Sequence, residues 1–293
     1  MNEPVLKFGD LRKNFGATEV LRGINAEVLS GEVIGLVGLN GAGKTTLLET
    51  ALGFSPPTSG TARVFGRESF TRLDQATKAR IGFVPQQDEL LGGITGRRYL
   101  GLIAQFYDNW NRDLVARLST EWDVPLEARI ITLSVGQRQK LSILSALGHE
   151  PELIILDEPV ASLDPLARRK FLQELVGIAD SCDRTIIFST HIVSDLERAA
   201  SRVWMLRDGR MEIDESMDAL KEQTARIHLP PGVPMPDYIN GDRLIHCRSE
   251  QDTGILVFRN WTEEQHRRLE QESGFSLTPE RLSLEDIFLE IHA

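Results

Sequence analysis

The segment GLNGAGKTT at positions 38–46 carries the residue types that a triphosphate requires. Gly38, Gly41 and Gly43 let the backbone bend, so that successive N–H groups, those of Asn40 and Ala42 among them, point at an anion together with the N-terminus of a following helix. Lys44 adds a positive charge, Thr45 a hydroxyl suited to Mg²⁺, and Thr46 continues the phosphate cradle into the helix. The flanks fit, because VIGLV before the loop reads as a buried strand and LLETALG after it as a helix. A second segment, LIILDEP at positions 153–159, brings two adjacent carboxylates to the end of an apolar strand, where alternation turns them in different directions. Asp157 is placed to hold Mg²⁺, directly or through water, and Glu158 to polarise a water that attacks the γ-phosphate. Taken alone, the first segment also reads as a Gly-rich helix cap and the second as an ordinary acidic turn.

The segment LSVGQ at positions 133–137, 20 residues before Asp157, decides between kinds of phosphate-loop enzyme. The phosphate loop, LSVGQ, LDEP, ASLD and the lone His191 after TIIFST stand in the order and spacing of ATP-binding-cassette ATPases, and the chain resembles that family from about Val5 to Met211. Ser134 with Gln137 is also an S-x-x-Q capping box that starts a helix, and the two readings are compatible. The resemblance implies that this helix N-terminus, through Ser134 and the Gly136 amide with Gln137 beside them, meets the nucleotide of a second subunit. It further implies that Gln86 reaches Mg²⁺ and the attacking water, that His191 contacts the γ-phosphate as a switch, and that Asp164 belongs to a loop crossing the dimer interface. Phe15 is the aromatic expected to stack on adenine, with Gly16 allowing close approach. Val135 stands where the commonest family form has glycine, a change expected to be tolerated when its side chain points away from nucleotide.

These residues need a scaffold. Four short apolar runs, Val33 to Val37, Ile81 to Val84, Leu153 to Leu156 and Thr185 to Phe188, read as strands covered on both faces, and three of them run on into a helical pattern. The expected fold is therefore α/β, a P-loop NTPase core built on a parallel sheet with ligands at the strands' C-terminal ends. PVLKF and INAEVL, around the turn-rich KNFGATE, suggest an N-terminal antiparallel flap. A helical insertion is expected over 88–135, with Tyr99, Leu102, Ile103 and Phe106 on one face. The ATP-binding domain is expected to span 1–223, and a small C-terminal α/β domain 224–293, the loop PPGVPMP lying close to the boundary. In the latter, Thr262 and Gln265 form a capping box for a helix ending at Gly274, and a last helix begins at Ser283.

With 293 residues and 41% hydrophobic side chains, the chain has ample material for a core. Lysines and arginines number 33 against 43 acidic residues, a net charge of −10 that disfavours direct nucleic-acid binding. Two cysteines, Cys182 and Cys247, exclude a thiolate zinc site and fit a reducing cytosol, and His228, His246 and Cys247 are not a chelating set. MNEPVLKFGD lacks a leader pattern, and no run approaches the ~18 apolar residues of a membrane helix. The expectation is a cytoplasmic ATPase with ATP and Mg²⁺, working as a homodimer or with another cassette ATPase, peripheral to the inner face of the membrane through a separate integral membrane permease. The ending SLEDIFLEI resembles that of nucleotide-binding subunits from exporters with a separate permease chain. The alternative is a soluble cassette ATPase acting on ribosomes or nucleic acid, whose commoner forms carry tandem cassettes or a long coiled coil, neither found here.

Overall fold

Alternating burial in Leu6–Phe15 (β1) and Thr18–Val28 (β2) makes an antiparallel hairpin whose register runs from Leu6 opposite Val28 to Phe15 opposite Thr18. In this computed structural model the described residues are 3–87, 89–161, 163–182, 184–231, 233, 244–250 and 253–292. The strands extend well into the segment read as turn-rich, because a two-residue turn suffices once Gly16 adopts φ +59°. Two compact units divide the chain, Met1–Asp214 and Glu215–Ala293.

In the first unit, β3 (Val33–Val37) leads through the phosphate loop into α1 (Lys44–Ala51). The strands β4 (Ser59–Val64) and β5 (Arg67–Glu68) join the hairpin in a four-stranded sheet of order β2-β1-β4-β5. Short helical turns α2 (Ser69–Arg72) and α3 (Gln75–Lys78) precede β6 (Ile81–Val84). The helical stretch follows as α4 (Gly96–Ile103), α5 (Arg112–Glu121) and α6 (Val135–Leu147). After it come β7 (Leu153–Leu156), α7 (Pro165–Cys182), β8 (Thr185–Thr190), α8 (Val193–Ala199), β9 (Arg202–Arg207) and β10 (Arg210–Ser216).

The second sheet has the order β10-β9-β3-β8-β7-β6, and β9, β3, β8, β7 and β6 run parallel. Its central strands are wholly buried, as continuous apolar runs require when both faces are covered. Leu36, Leu47, Ile187 and Trp204 join Phe8, Leu21 and Ile24 of the hairpin in one core, with the rings of Phe8 and Trp204 6.1 Å apart. The parallel order places the ends of β3, β7 and β8 side by side, so three functional segments leave the sheet together.

The insertion differs from its expected amphipathic face. Phe106 is 70% exposed and Leu102 is also exposed, whereas Gly96 and Leu100, one turn apart, are the buried positions of α4. The backbone explains it: the Gly96 and Arg97 amides donate to Ala128 and Leu126, so the helix leans on that segment through its Gly96 side. Ala104–Phe106 then tightens into a 3₁₀ turn, which ends the 3.6-residue period before Phe106.

The second unit contains α9 (Met217–Gln223), β11 (Ala225–Leu229), β12 (Leu244–Glu250), β13 (Thr253–Phe258), α10 (Glu263–Ser273), β14 (Glu280–Arg281) and α11 (Leu284–His292). Its sheet has the order β12-β13-β11-β14, and Ile227, Leu229, Leu256, Phe258, Leu269 and Leu277 form its core. Thr262 and Gln265 make the reciprocal capping box of α10, which ends at left-handed Gly274, and Ser283 accepts from the Asp286 amide to start α11. Most of the PPGVPMP loop, Asp88, Ser162 and the side chains of Cys182, His246 and Cys247 lie outside the described residues.

Candidate active site

The phosphate loop is shaped by close approach. A Cβ on Gly38 would stand 2.4 Å from the Leu206 carbonyl oxygen, and one on Gly43, at φ +105°, 3.0 Å from Leu21 and 3.2 Å from the Val20 oxygen. Both positions therefore demand glycine, and Gly43 caps α1 with the helix N-terminus opening onto the loop. Lys44, itself buried, curls back to donate from Nζ to the Gly38 oxygen at 2.9 Å and the Leu39 oxygen at 3.4 Å. Its ammonium is thus held inside the loop. Thr45 and Thr46 are half-buried on the first turn of α1, while Asn40 and Gly41 stand exposed and Ala42 is buried.

The register Leu156 opposite Phe188 carries on past the strands and puts Asp157 and Glu158 beside Ser189. Ser189 Oγ donates to Asp157 Oδ1 at 2.5 Å and accepts the Glu158 N–H at 2.8 Å. Asp157 is 1% exposed and Glu158 6%, so one serine hydroxyl satisfies a buried carboxylate and a buried amide at once. Glu158 holds φ +50°, a left-handed conformation that is costly for a residue with a side chain and is kept here by that hydrogen bond. Its carboxylate has two further neighbours: Lys44 Nζ 3.7 Å from Oε1, and His191 Nδ1 2.7 Å from Oε2. Lys44, Asp157, Glu158, Ser189 and His191 therefore form one group.

Behind them, Asp195 on α8 is buried, and its Oδ2 lies 3.8 Å from Arg168 Nε on α7. That is too long for a hydrogen bond, and neither atom has a hydrogen-bond partner among the described residues. Burial pushes the Asp195 carboxyl above its ordinary range, and Glu158 adds to that push, while Arg168, Arg198 and His191 oppose it.

The remaining residues lie elsewhere on the unit. Ser134 and Gln137 close a capping box at the start of α6, the Ser134 Oγ accepting the Gln137 N–H at 3.2 Å and the Gln137 Oε1 accepting the Ser134 N–H at 3.0 Å. Gly136, Lys140 and Asp164 line with them an open depression of about 490 Å³. Val135 lines it too and is half exposed. Asp164 caps α7, and the amides of Ala167 and Leu166, both 3.0 Å from Oδ1, hold its carboxyl below the ordinary range. Gln86 is exposed just past the end of β6. Phe15 is half exposed at the hairpin turn, and its strand partner Thr18 is two residues, about 7 Å of extended chain, from Val20. The Val20 carbonyl is the group that abuts Gly43, so the hairpin carrying the aromatic packs against the phosphate loop.

The family model described as ABC transporter matches residues 21–161. The Nod factor export ATP-binding protein I of Rhizobium sp. (strain N33) is 32% identical over 304 residues, which cover 99% of this chain and 98% of that protein. The chain belongs to the ABC transporter ATP-binding protein family. The bacitracin transport ATP-binding protein of Bacillus licheniformis is 30% identical over 224 residues, 76% of this chain and 73% of that protein. Among solved structures, an ATP-binding subunit of an ABC transporter superposes with a TM-score of 0.68 at 28% identity, covering 75% of this chain and 92% of that one. The chain is thus an ATP-binding, ATP-hydrolysing cassette, and its α/β core is that of the family's P-loop NTPases.

Ser189 is the cassette residue that motif reading missed. Its signal was the strand TIIFST itself: in a parallel sheet the serine falls beside the first carboxylate after the neighbouring strand. Among the described residues no cluster of three or more His, Cys, Asp or Glu side chains could hold a metal. Mg²⁺ asks for less from the protein, since one carboxylate and a hydroxyl suffice when phosphates and water complete its shell. Asp157, with one oxygen engaged by Ser189, and Thr45 on α1 fit that requirement.

Proposed function

We propose that two copies of the chain close around two MgATP molecules and that hydrolysis drives a separate integral membrane permease in an export direction. The observation that carries the catalytic part is the single group formed by Lys44, Asp157, Glu158, Ser189 and His191 where β3, β7 and β8 end. Lys44, already turned into the loop, exchanges its carbonyl contacts for β- and γ-phosphate oxygens, and the amides from Gly38 to Thr46 cradle the rest of the triphosphate. Thr45, Gln86 and Asp157 would be the protein's ligands for Mg²⁺, which would neutralise phosphate charge. Glu158 orients and polarises the attacking water, and His191, fixed by Glu158, faces the γ-phosphate. Phe15 takes the adenine on its exposed face.

The second copy supplies what one copy does not bring together. Ser134, Gly136 and Gln137, with Asp164 beside them, stand around an open depression with a helix N-terminus in its wall, a fit for the γ-phosphate of the opposite subunit's nucleotide. The compact division after Asp214 leaves every catalytic group within the first unit, and the second unit serves as a C-terminal appendage to it.

Three features support the permease reading. No helix of the described residues is long and apolar enough to cross a membrane, and the reading assigns passage to a separate permease. Leu91, Leu102 and Phe106 are exposed in the stretch between Gln86 and α5, as a docking surface for an apolar partner requires. The Nod factor and bacitracin relatives carry transport names, the first an export name, and the terminal SLEDIFLEI favours the same direction. On this reading the cassette sits on the cytoplasmic face of the membrane through its permease.

The test is purification of the tagged Glu158→Gln chain from its native cells in mild detergent with MgATP, followed by identification of what accompanies it. A stoichiometric multi-span membrane protein is expected. Ribosomal or nucleic-acid partners alone, with the chain absent from membranes, would overturn the permease reading and leave the ATPase chemistry in place.

A further inference from the structure

Lys13 is 7% exposed, an unusual place for an ammonium, and its role is not explained by the strand it sits in. Its Nζ donates to the Pro56 carbonyl oxygen at 2.7 Å and lies 4.7 Å from the centre of the Phe15 ring. Positions 13 and 15 share one face of β1, so the cation approaches the ring from inside the fold while the ring stays half exposed to solvent. The strand end is fixed on the same loop by two more bonds, Asn14 N–H to Thr58 Oγ1 at 2.8 Å and Thr58 N–H to the Arg12 oxygen at 2.8 Å.

We propose that Lys13 is a positioning residue for adenine recognition, its ammonium holding and polarising the Phe15 ring from one side so that the base stacks on the other. This rests on the reading of Phe15 as the adenine platform. An exposed phenylalanine on a hairpin turn swings between rotamers, and each rotamer lost on binding costs affinity. The buried cation lowers that cost, because the ring keeps its contact only when its face lies over the ammonium. It also draws electron density from that face, which favours an electron-rich purine on the opposite one. The backbone bonds of Asn14 and Thr58 keep the strand end in place when Lys13 is changed, so the ring and not the loop is what the lysine controls.

The experiment compares equilibrium affinities of the full chain for MgATP and for inorganic tripolyphosphate, which occupies the phosphate loop without a base. In Lys13→Met, which keeps the aliphatic stem, ATP affinity falls at least about three- to fivefold, the low end for a cation–π contact between a buried ammonium and a half-exposed ring, while tripolyphosphate affinity stays that of the parent. Lys13→Arg, which keeps a cation beside the ring, recovers ATP affinity relative to Lys13→Met. An equal loss for both ligands would reduce Lys13 to a structural tie for the 56–58 loop and overturn the proposal. Unchanged ATP affinity in Lys13→Met, with a clear loss in Phe15→Ala, would also overturn it and leave the adenine platform standing. A Phe15→Ala chain that loses nothing on ATP relative to tripolyphosphate would remove the platform and the role of Lys13 together.

Discussion

His191 Nδ1 stands 2.7 Å from Glu158 Oε2, and Lys44 Nζ stands 3.7 Å from the other oxygen of the same carboxylate. Glu158 is therefore held from two sides, by the lysine proposed to meet phosphate and by the histidine proposed to sense it. Glu158→Gln keeps the shape and one acceptor oxygen, puts an NH2 donor where the other oxygen stood, and removes the charge proposed to polarise water. Turnover is expected to fall by about 10²–10⁴ with MgATP binding retained. Phosphate release and a nucleotide titration on the same preparation check this, and normal turnover would reject the assignment.

Lys44→Ala acts on the other side of the carboxylate. It removes the proposed phosphate contact and also leaves the Glu158 carboxylate, 6% exposed, without the ammonium beside it, His191 staying at 2.7 Å. A charge-assisted contact of this kind is worth about 1.5–3 kcal/mol, so ATP affinity is expected to drop roughly 10- to 100-fold. Titration with a non-hydrolysable ATP analogue is the direct measurement, and an unchanged affinity would show that the ammonium stays on the Gly38 and Leu39 oxygens throughout the cycle.

Ser189 is tested through a double loss. Ser189→Ala strips Asp157 of a hydrogen bond and leaves the Glu158 N–H buried without its acceptor, a cost of about 1–3 kcal/mol. The melting temperature is expected to fall by a few degrees, roughly 2–4 °C per kcal/mol for a domain of this size. Turnover falls about tenfold as well, because the left-handed turn at Glu158 relaxes. Ser189→Thr keeps the hydroxyl and recovers turnover. A chain that melts lower but turns over normally would confine Ser189 to stability.

The difference between Lys44 and Ser189 shows what was readable in the chain. That Lys44, Asp157 and Glu158 meet at the strand ends was legible because each follows a strand within a short segment, and the central strands were legible because burial on both faces leaves a continuous apolar run. Ser189 was not, because its role comes from strand register across the sheet, between residues 32 positions apart in sequence. The hairpin ran past its expected ends because Gly16 made a tight turn available inside a polar stretch. Phe106 went to solvent because tertiary contacts of Gly96 and Leu100 chose the other side of α4, which periodicity alone does not rank. β4 carries no continuous apolar run to mark it, since SGTARV buries only alternate positions.

Asp195 gives the fold a pH dependence of definite sign. Burial raises its folded-state pKa, so the native chain favours the protonated carboxyl more than the unfolded chain does. Below the ordinary aspartate value of about 3.9 both states are protonated and no penalty exists. As pH rises through that value the unfolded chain releases its proton first, and stability is lost until the folded pKa is passed. Asp195→Asn removes this loss and keeps the size of the side chain. The variant is expected to melt at the parent's temperature at the acid end of the range and progressively above it as pH rises from about 4, with a constant difference once the folded carboxyl has ionised. Arg168 keeps a partner after the change, since its Nη2 donates to the Leu163 oxygen at 3.4 Å. Thermal melts of the two chains across pH 4–8 measure the difference directly. A variant that melts below the parent at neutral pH would mean that the Arg168–Asp195 pair, despite its 3.8 Å separation, stabilises the ionised form by more than burial costs it.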